Sequence, residues 1–114
     1  MLNRISTKKV EKILRLAIEK RLDEGWCLKP GRYYFDKNGI SECCVLGALL
    51  LESPHYSNLD NLKRNLVDKL ALPLARIGRI AWGFEYGEYA CKDIIYDSKL
   101  YKLGARLRTD YCVE

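Results

Sequence analysis

Residues 43–51, Cys43-Cys44-Val45-Leu46-Gly47-Ala48-Leu49-Leu50-Leu51, form the longest stretch of this chain without a charge. The run is about half of the ~20 residues that a membrane-spanning helix needs. It is also too apolar to lie on a surface, so a stable fold has to wrap around it. Periodicity alone does not separate a buried strand from a buried helix here. The Gly-Ala-Leu-Leu-Leu-Glu composition favours a central helix, which Ser53-Pro54 brings to an end.

The flanking sequence supplies the elements that can cover this centre. Ser6 or Thr7 caps a first helix in which Val10, Ile13, Leu14, Ala17 and Ile18 recur at helical spacing. Glu24-Gly25 stops it, and Pro30-Gly31 marks a turn. Arg32-Tyr33-Tyr34-Phe35 and Ile40-Ser41-Glu42-Cys43 flank Asp36-Lys37-Asn38-Gly39, the pattern of a β-hairpin. Such a ribbon is marginal alone and has to lie on the helices. Leu59, Leu62, Leu66, Val67 and Leu70 form an amphipathic helix that Ser57 or Asn58 can cap. Pro73 opens another, striped by Ile77, Ile80, Ala81 and Phe84. Residues 83–89, Gly-Phe-Glu-Tyr-Gly-Glu-Tyr, read as a glycine-bracketed loop. A last helix, capped by Asp97 or Ser98, turns Leu100, Leu103, Gly104 and Leu107 inward. The expected fold is mainly α (α+β): about five helices and one β-hairpin between the first two, in a single domain covering residues 1–114.

With 114 residues, 48% apolar and 31% charged, the composition is globular. No secretory signal pattern opens the sequence, and the chain is expected to work in the cytoplasm. The five cysteines (Cys27, Cys43, Cys44, Cys91 and Cys112) are odd in number and lack any Cys-x-x-Cys pair. That fits buried thiols in a reducing compartment better than a disulfide framework. The only histidine, His55, has no cysteine within ten residues, so no metal site and no cofactor are expected.

The net charge of +5 is unevenly placed: residues 1–21 carry +5 and residues 63–83 carry +4, while residues 22–62 carry −3. Such asymmetry suits a polyanion or an acidic protein surface. Lys8, Lys12 and Arg15 line one helix face, Arg76 and Arg79 another, and Lys99, Lys102 and Arg106 a third. These are the candidate phosphate contacts, and the aromatic hairpin offers stacking surfaces. No helix-turn-helix, zinc-finger or RNP signature accompanies them. Gly78, Gly83 and Gly87 match neither a Walker nor a dinucleotide-binding spacing.

A cysteine at a helix amino end is electrostatically favoured as a thiolate, which makes Cys44 with His55 the one candidate for nucleophilic catalysis. The histidine lies about 15 Å along the chain axis from the helix start. Glu85, Glu88, Asp93 and Asp97 could form a carboxylate pair, but solvated acidic loops look the same. Tyr86 and Tyr89, with Glu85, Glu88 and Tyr33, are better suited to anchoring a protein partner.

Three segments carry a resemblance: Cys44-Val45-Leu46-Gly47-Ala48-Leu49, Gly83-Phe84-Glu85-Tyr86-Gly87 and Leu103-Gly104-Ala105-Arg106-Leu107-Arg108. Together they resemble a loose set of small uncharacterised bacterial and phage proteins, in which Asp is more frequent at the position of Glu85. The resemblance implies an order of helix, Trp-containing ribbon, Cys-x-x-Gly-Ala-Leu helix, amphipathic helices, Gly-Phe-acidic-x-Gly loop and terminal Gly-x-x-x-Arg helix. It implies no activity. Gly47 and Gly104 are expected to permit close helix approach, and Gly83 and Gly87 to supply unusual backbone angles.

The first functional expectation is a small, basic, non-catalytic protein that occludes or regulates a larger protein partner, such as a host defence complex if phage-encoded. The alternative is a DNA- or RNA-binding regulator using the basic faces. A cysteine-dependent hydrolase built on Cys44 is the third.

Overall fold

The computed structural model describes residues 6–31, 34–51, 59–87 and 98–112. Along the chain run α1 (Thr7–Asp23), β1 (Cys27–Leu28), β2 (Tyr34–Lys37), β3 (Ile40–Cys43), α2 (Val45–Leu50), α3 (Leu59–Leu70), α4 (Leu74–Tyr86) and α5 (Ser98–Tyr111). The mainly helical class, with a small sheet between the first two helices, is the one the sequence indicates. Among the described residues no helix is long and apolar enough to cross a membrane.

The uncharged run does form the centre. All six residues of α2 are buried, and Cys44 rather than Cys43 caps the helix, its Sγ accepting the Gly47 amide at 3.3 Å. Around it pack Val10, Leu14, Ala17 and Ile18 of α1, Leu66 and Leu70 of α3, Ile77, Ile80 and Phe84 of α4, and Leu100, Leu103 and Leu107 of α5. Ser6 starts α1 by accepting the Lys9 amide at 3.2 Å. After Glu24, Gly25 adopts a φ of 95° that lets the chain leave.

The expected two-stranded hairpin is a three-stranded sheet of order β1-β3-β2. β1 lies parallel to β3, Cys27 opposite Glu42 and Leu28 opposite Cys43. The Lys29 amide donates to the Cys43 carbonyl at 2.8 Å, and the Lys29 ammonium meets Glu42 at 3.1 Å. A strand of two residues is too short to show alternation, so the sequence pattern gives no sign of it. The hairpin connection is also tighter than four residues. Asp36 and Lys37 belong to β2, and the turn is Asn38-Gly39, with φ of 56° and 77°.

The largest correction concerns residues 83–89. α4 continues through Tyr86, so Gly83, Phe84, Glu85 and Tyr86 are helical and not loop. Gly83 supplies no unusual backbone angle but a close approach. A methyl group there would run into the backbone carbonyl of Tyr101, and one at Gly104 into that of Ile80. The two glycines are reciprocal, each letting the other helix's backbone in. Gly87 does have the positive φ expected of it, 76°, and ends the helix.

α5 also closes the carboxyl end of α4. The last carbonyls of a helix lack intrahelical partners. Arg108 donates to the carbonyls of Phe84 at 2.9 Å and Glu85 at 2.5 Å, and the Tyr101 hydroxyl donates to that of Gly87 at 2.6 Å. The Gly104-x-x-x-Arg108 motif thus has a packing half and a capping half.

Candidate functional site

Burial of Ile77, Ile80, Gly83 and Phe84 fixes the orientation of α4 and therefore what its other side presents. Leu74, Gly78, Trp82 and Tyr86 recur every four residues and lie along one exposed arc, with Ala75 and Glu85 beside them. Leu74 is 41% exposed, Trp82 54% and Tyr86 56%. Among the described residues nothing lies within 4 Å of where a Cβ would stand on Gly78, so the middle of the arc is flat and open there. Arg79 borders the arc at helical spacing. Glu85 and Tyr86 are thus brought onto one surface, while Tyr33, Glu88 and Tyr89 fall outside the described residues. Trp82 was not singled out from the sequence. Its signal was present in the i, i+4 series opposite the Ile77-Ile80-Phe84 stripe.

A pocket of about 170 Å³ adjoins this helix, lined by Gly31, Cys44, Val45, Leu46, Ala81, Phe84 and Glu85. It brings Cys44 and Glu85 together. Burial pushes the Cys44 thiol up from its ordinary value, and the nearby Glu85 carboxylate pushes it further up. The Gly47 and Leu46 amides oppose this by stabilising the thiolate. Desolvation outweighs the helix amino end, and the sulfur stays a neutral thiol, a poor nucleophile, at neutral pH. His55 lies outside the described residues. Among those residues no group of three His, Cys, Asp or Glu side chains is placed to hold a metal ion.

The basic faces are regrouped by the fold. Arg15 is drawn into an α1–α5 network: its guanidinium meets Glu11 at 2.8 Å and Asp110 at 2.8 Å, and its carbon lies 5.6 Å from the centre of the Tyr111 ring. Glu11 is shared with Arg106 at 3.0 Å. The Arg15 hydrogen bond, joined by Arg106 and opposed by partial burial, holds the Glu11 carboxyl below the usual range. Arg15 is therefore a structural residue and not a free contact. Lys8 of α1 joins Lys99, Lys102 and Arg106 of α5 around an open cavity of about 450 Å³ whose rim also includes Ser6 and Thr7. Lys12 is exposed one turn further along α1. Arg76 and Arg79 are half-buried on α4, and neither lines this cavity.

Comparison with protein-family models, with curated proteins and with solved structures finds no match to this chain.

Proposed function

We propose that this chain is a small non-catalytic binding protein that acts by docking onto a larger protein, with the outer arc of α4 as its contact surface. The observation that carries the reading is the alignment of Leu74, Trp82 and Tyr86, each over two-fifths exposed, on one face of a rigidly packed helix. Trp, Tyr and Arg are the residue types that dominate binding energy at protein interfaces. Covering the arc would remove on the order of 250 Å² of apolar surface from water, about 6 kcal/mol before the entropy of association is subtracted. Gly78 gives a partner backbone room to approach between the two larger side chains.

The occupant suited to this arc is a partner segment with apolar side chains and acidic flanks. Residues 63–86, which include most of α3 and the whole of α4, carry a net +3 with Glu85 counted, and Arg79 stands at the border of the arc. Charge of that sign steers an acidic surface toward the patch and disfavours a basic one.

The test is site-specific photo-cross-linking in the cell that makes the protein. A photoreactive residue at position 82 or 86 should give a discrete adduct with an acidic protein. The same group at exposed Leu16 on α1 should not. Trp82→Ala with Tyr86→Ala should lower retention of that protein at least tenfold while shifting Tm by less than about 2 °C. Identical adducts from all three positions, an adduct of twice the chain's own mass, or a large drop in Tm would each overturn the proposal.

A further inference from the structure

The cavity between the start of α1 and the outer face of α5 concentrates positive charge in a way that neither helix does alone. Its lining among the described residues comprises Ser6, Thr7, Lys8, Lys99, Lys102 and Arg106: four cations, two hydroxyl side chains and, among those residues, no carboxylate. Lys99, Lys102 and Arg106 follow one another at i, i+3 and i+7, so one face of α5 turns all three toward the cavity. Lys8 arrives from α1, more than ninety residues away in sequence.

Like charges gathered around one cavity repel, and the described acids nearby are already engaged. Glu11 is shared between Arg15 and Arg106, and Asp110 is held by Arg15. Those pairs leave the three lysines of the rim unneutralised by the network while fixing Arg106 at its edge. The first turn of α1, which opens onto the same rim, carries no acidic residue to offset its partial positive charge. At the ~30 Å³ that one water occupies in the liquid, a volume of about 450 Å³ accommodates a chain of several phosphates. Lys102 and Arg106 also line an adjoining hollow of about 230 Å³ with Ala105, Thr109 and Asp110, which continues the groove along α5.

We infer that Lys8, Lys99, Lys102 and Arg106 form a binding site for linked phosphate groups, seated between the amino end of α1 and the face of α5. The chemistry recognised is a row of phosphate oxygens, supplied either by a free oligophosphate or by a nucleic-acid backbone. This site is separate from the α4 arc and does not depend on partner docking there.

The experiment titrates the protein with tripolyphosphate and with fluorescently labelled single-stranded and duplex DNA, each at about 50 and 200 mM salt. Amide NMR of the same samples locates the site. Binding should perturb the amides of Lys8, Lys99, Lys102 and Arg106 before others. For duplex DNA the affinity should fall roughly 40- to 150-fold between the two salt concentrations, as expected for three to four neutralised phosphates. Lys99→Ala with Lys102→Ala should weaken every ligand that binds at least tenfold and reduce the duplex salt slope by about two. Lys8→Ala on α1, remote in sequence from those two, should weaken the same ligands and so guards against a local defect in α5. Tripolyphosphate binding as tightly as DNA would assign a free oligophosphate, and a marked preference for DNA would assign a nucleic-acid backbone. Either result supports the site. No perturbation by any of the three probes at the lower salt would overturn it. So would binding that the lysine variants leave unchanged.

Discussion

Cys43 is the residue whose chemistry the fold alters most clearly. It sits at the end of β3, only 1% exposed, and burial raises its thiol from the ordinary 9.0 to about 12; adjacent Cys44 adds to the shift and Arg21 opposes it. The folded state therefore holds a proton that the unfolded chain releases first. Stability from this source is fully present below pH 9 and is lost as pH rises toward 12, at a slope of about 1.4 kcal/mol per unit. Urea unfolding at pH 8 and pH 10.5 should show the decline in the native sequence and a smaller one in Cys43→Ala. The free cysteines should also differ in labelling. Exposed Cys27 should react with a thiol reagent in the native state before half-buried Cys44, with buried Cys43 the slowest of the three. The sequence reading makes the thiols buried apolar side chains, which holds for Cys43 alone among the described cysteines: Cys44 and Cys112 are half-buried, Cys27 is exposed, and Cys91 lies outside the described residues. What it lacked was their order, because exposure depends on which strand edge each residue occupies.

Among the elements, the α4–α5 pair shows how one residue type serves opposite ends. Gly83 and Gly104 lie where a methyl group would strike the facing helix's backbone, which cannot move aside as a side chain can. Gly83→Ala and Gly104→Ala should each cost about 3 kcal/mol or more. Gly78 lies in the same helix as Gly83 but faces open space, so Gly78→Ala should raise stability by about 1 kcal/mol through backbone entropy. Thermal unfolding followed by circular dichroism separates the two outcomes, since 1 kcal/mol corresponds to roughly 4 °C or more at this size. The elements themselves were largely legible. The stripes of α1 and α5 and the opening of α4 at Pro73 lie where apolar spacing and proline chemistry put them. The end of α4 was misread because Gly83 and Gly87 look alike in sequence. Only Gly87 breaks the helix, whereas Gly83 answers a neighbour that becomes adjacent only on folding.

Across the whole molecule, legibility drops because the candidate sites are built from faces that meet only on folding. Lys8, Lys99, Lys102 and Arg106 were recognisable as two helical stripes, but nothing in their spacing says that the stripes share one cavity. Arg15 belonged to the first stripe by spacing, and the fold assigns it instead to Asp110 and Tyr111. Trp82 was readable in principle, since it falls opposite a buried stripe at the correct interval. The net charge of each segment was legible in the sequence, while the identity of each charge's neighbours awaited the packing of α1 on α5.

That packing has a kinetic consequence. The contacts Glu11–Arg106 and Arg15–Asp110 each join residues 95 apart, close to the full span of the chain, whereas α4 and α5 are near neighbours in sequence. Closing so long a loop is entropically unfavourable until much of the intervening chain is ordered. The α1–α5 clasp should therefore form after the main folding barrier and come apart before it on the way out. Arg15→Ala should speed unfolding and leave the folding rate nearly unchanged in denaturant-dependent kinetics, and a slowed folding limb would show the clasp to be part of the nucleus. The first and last helices are held by a latch that is set last.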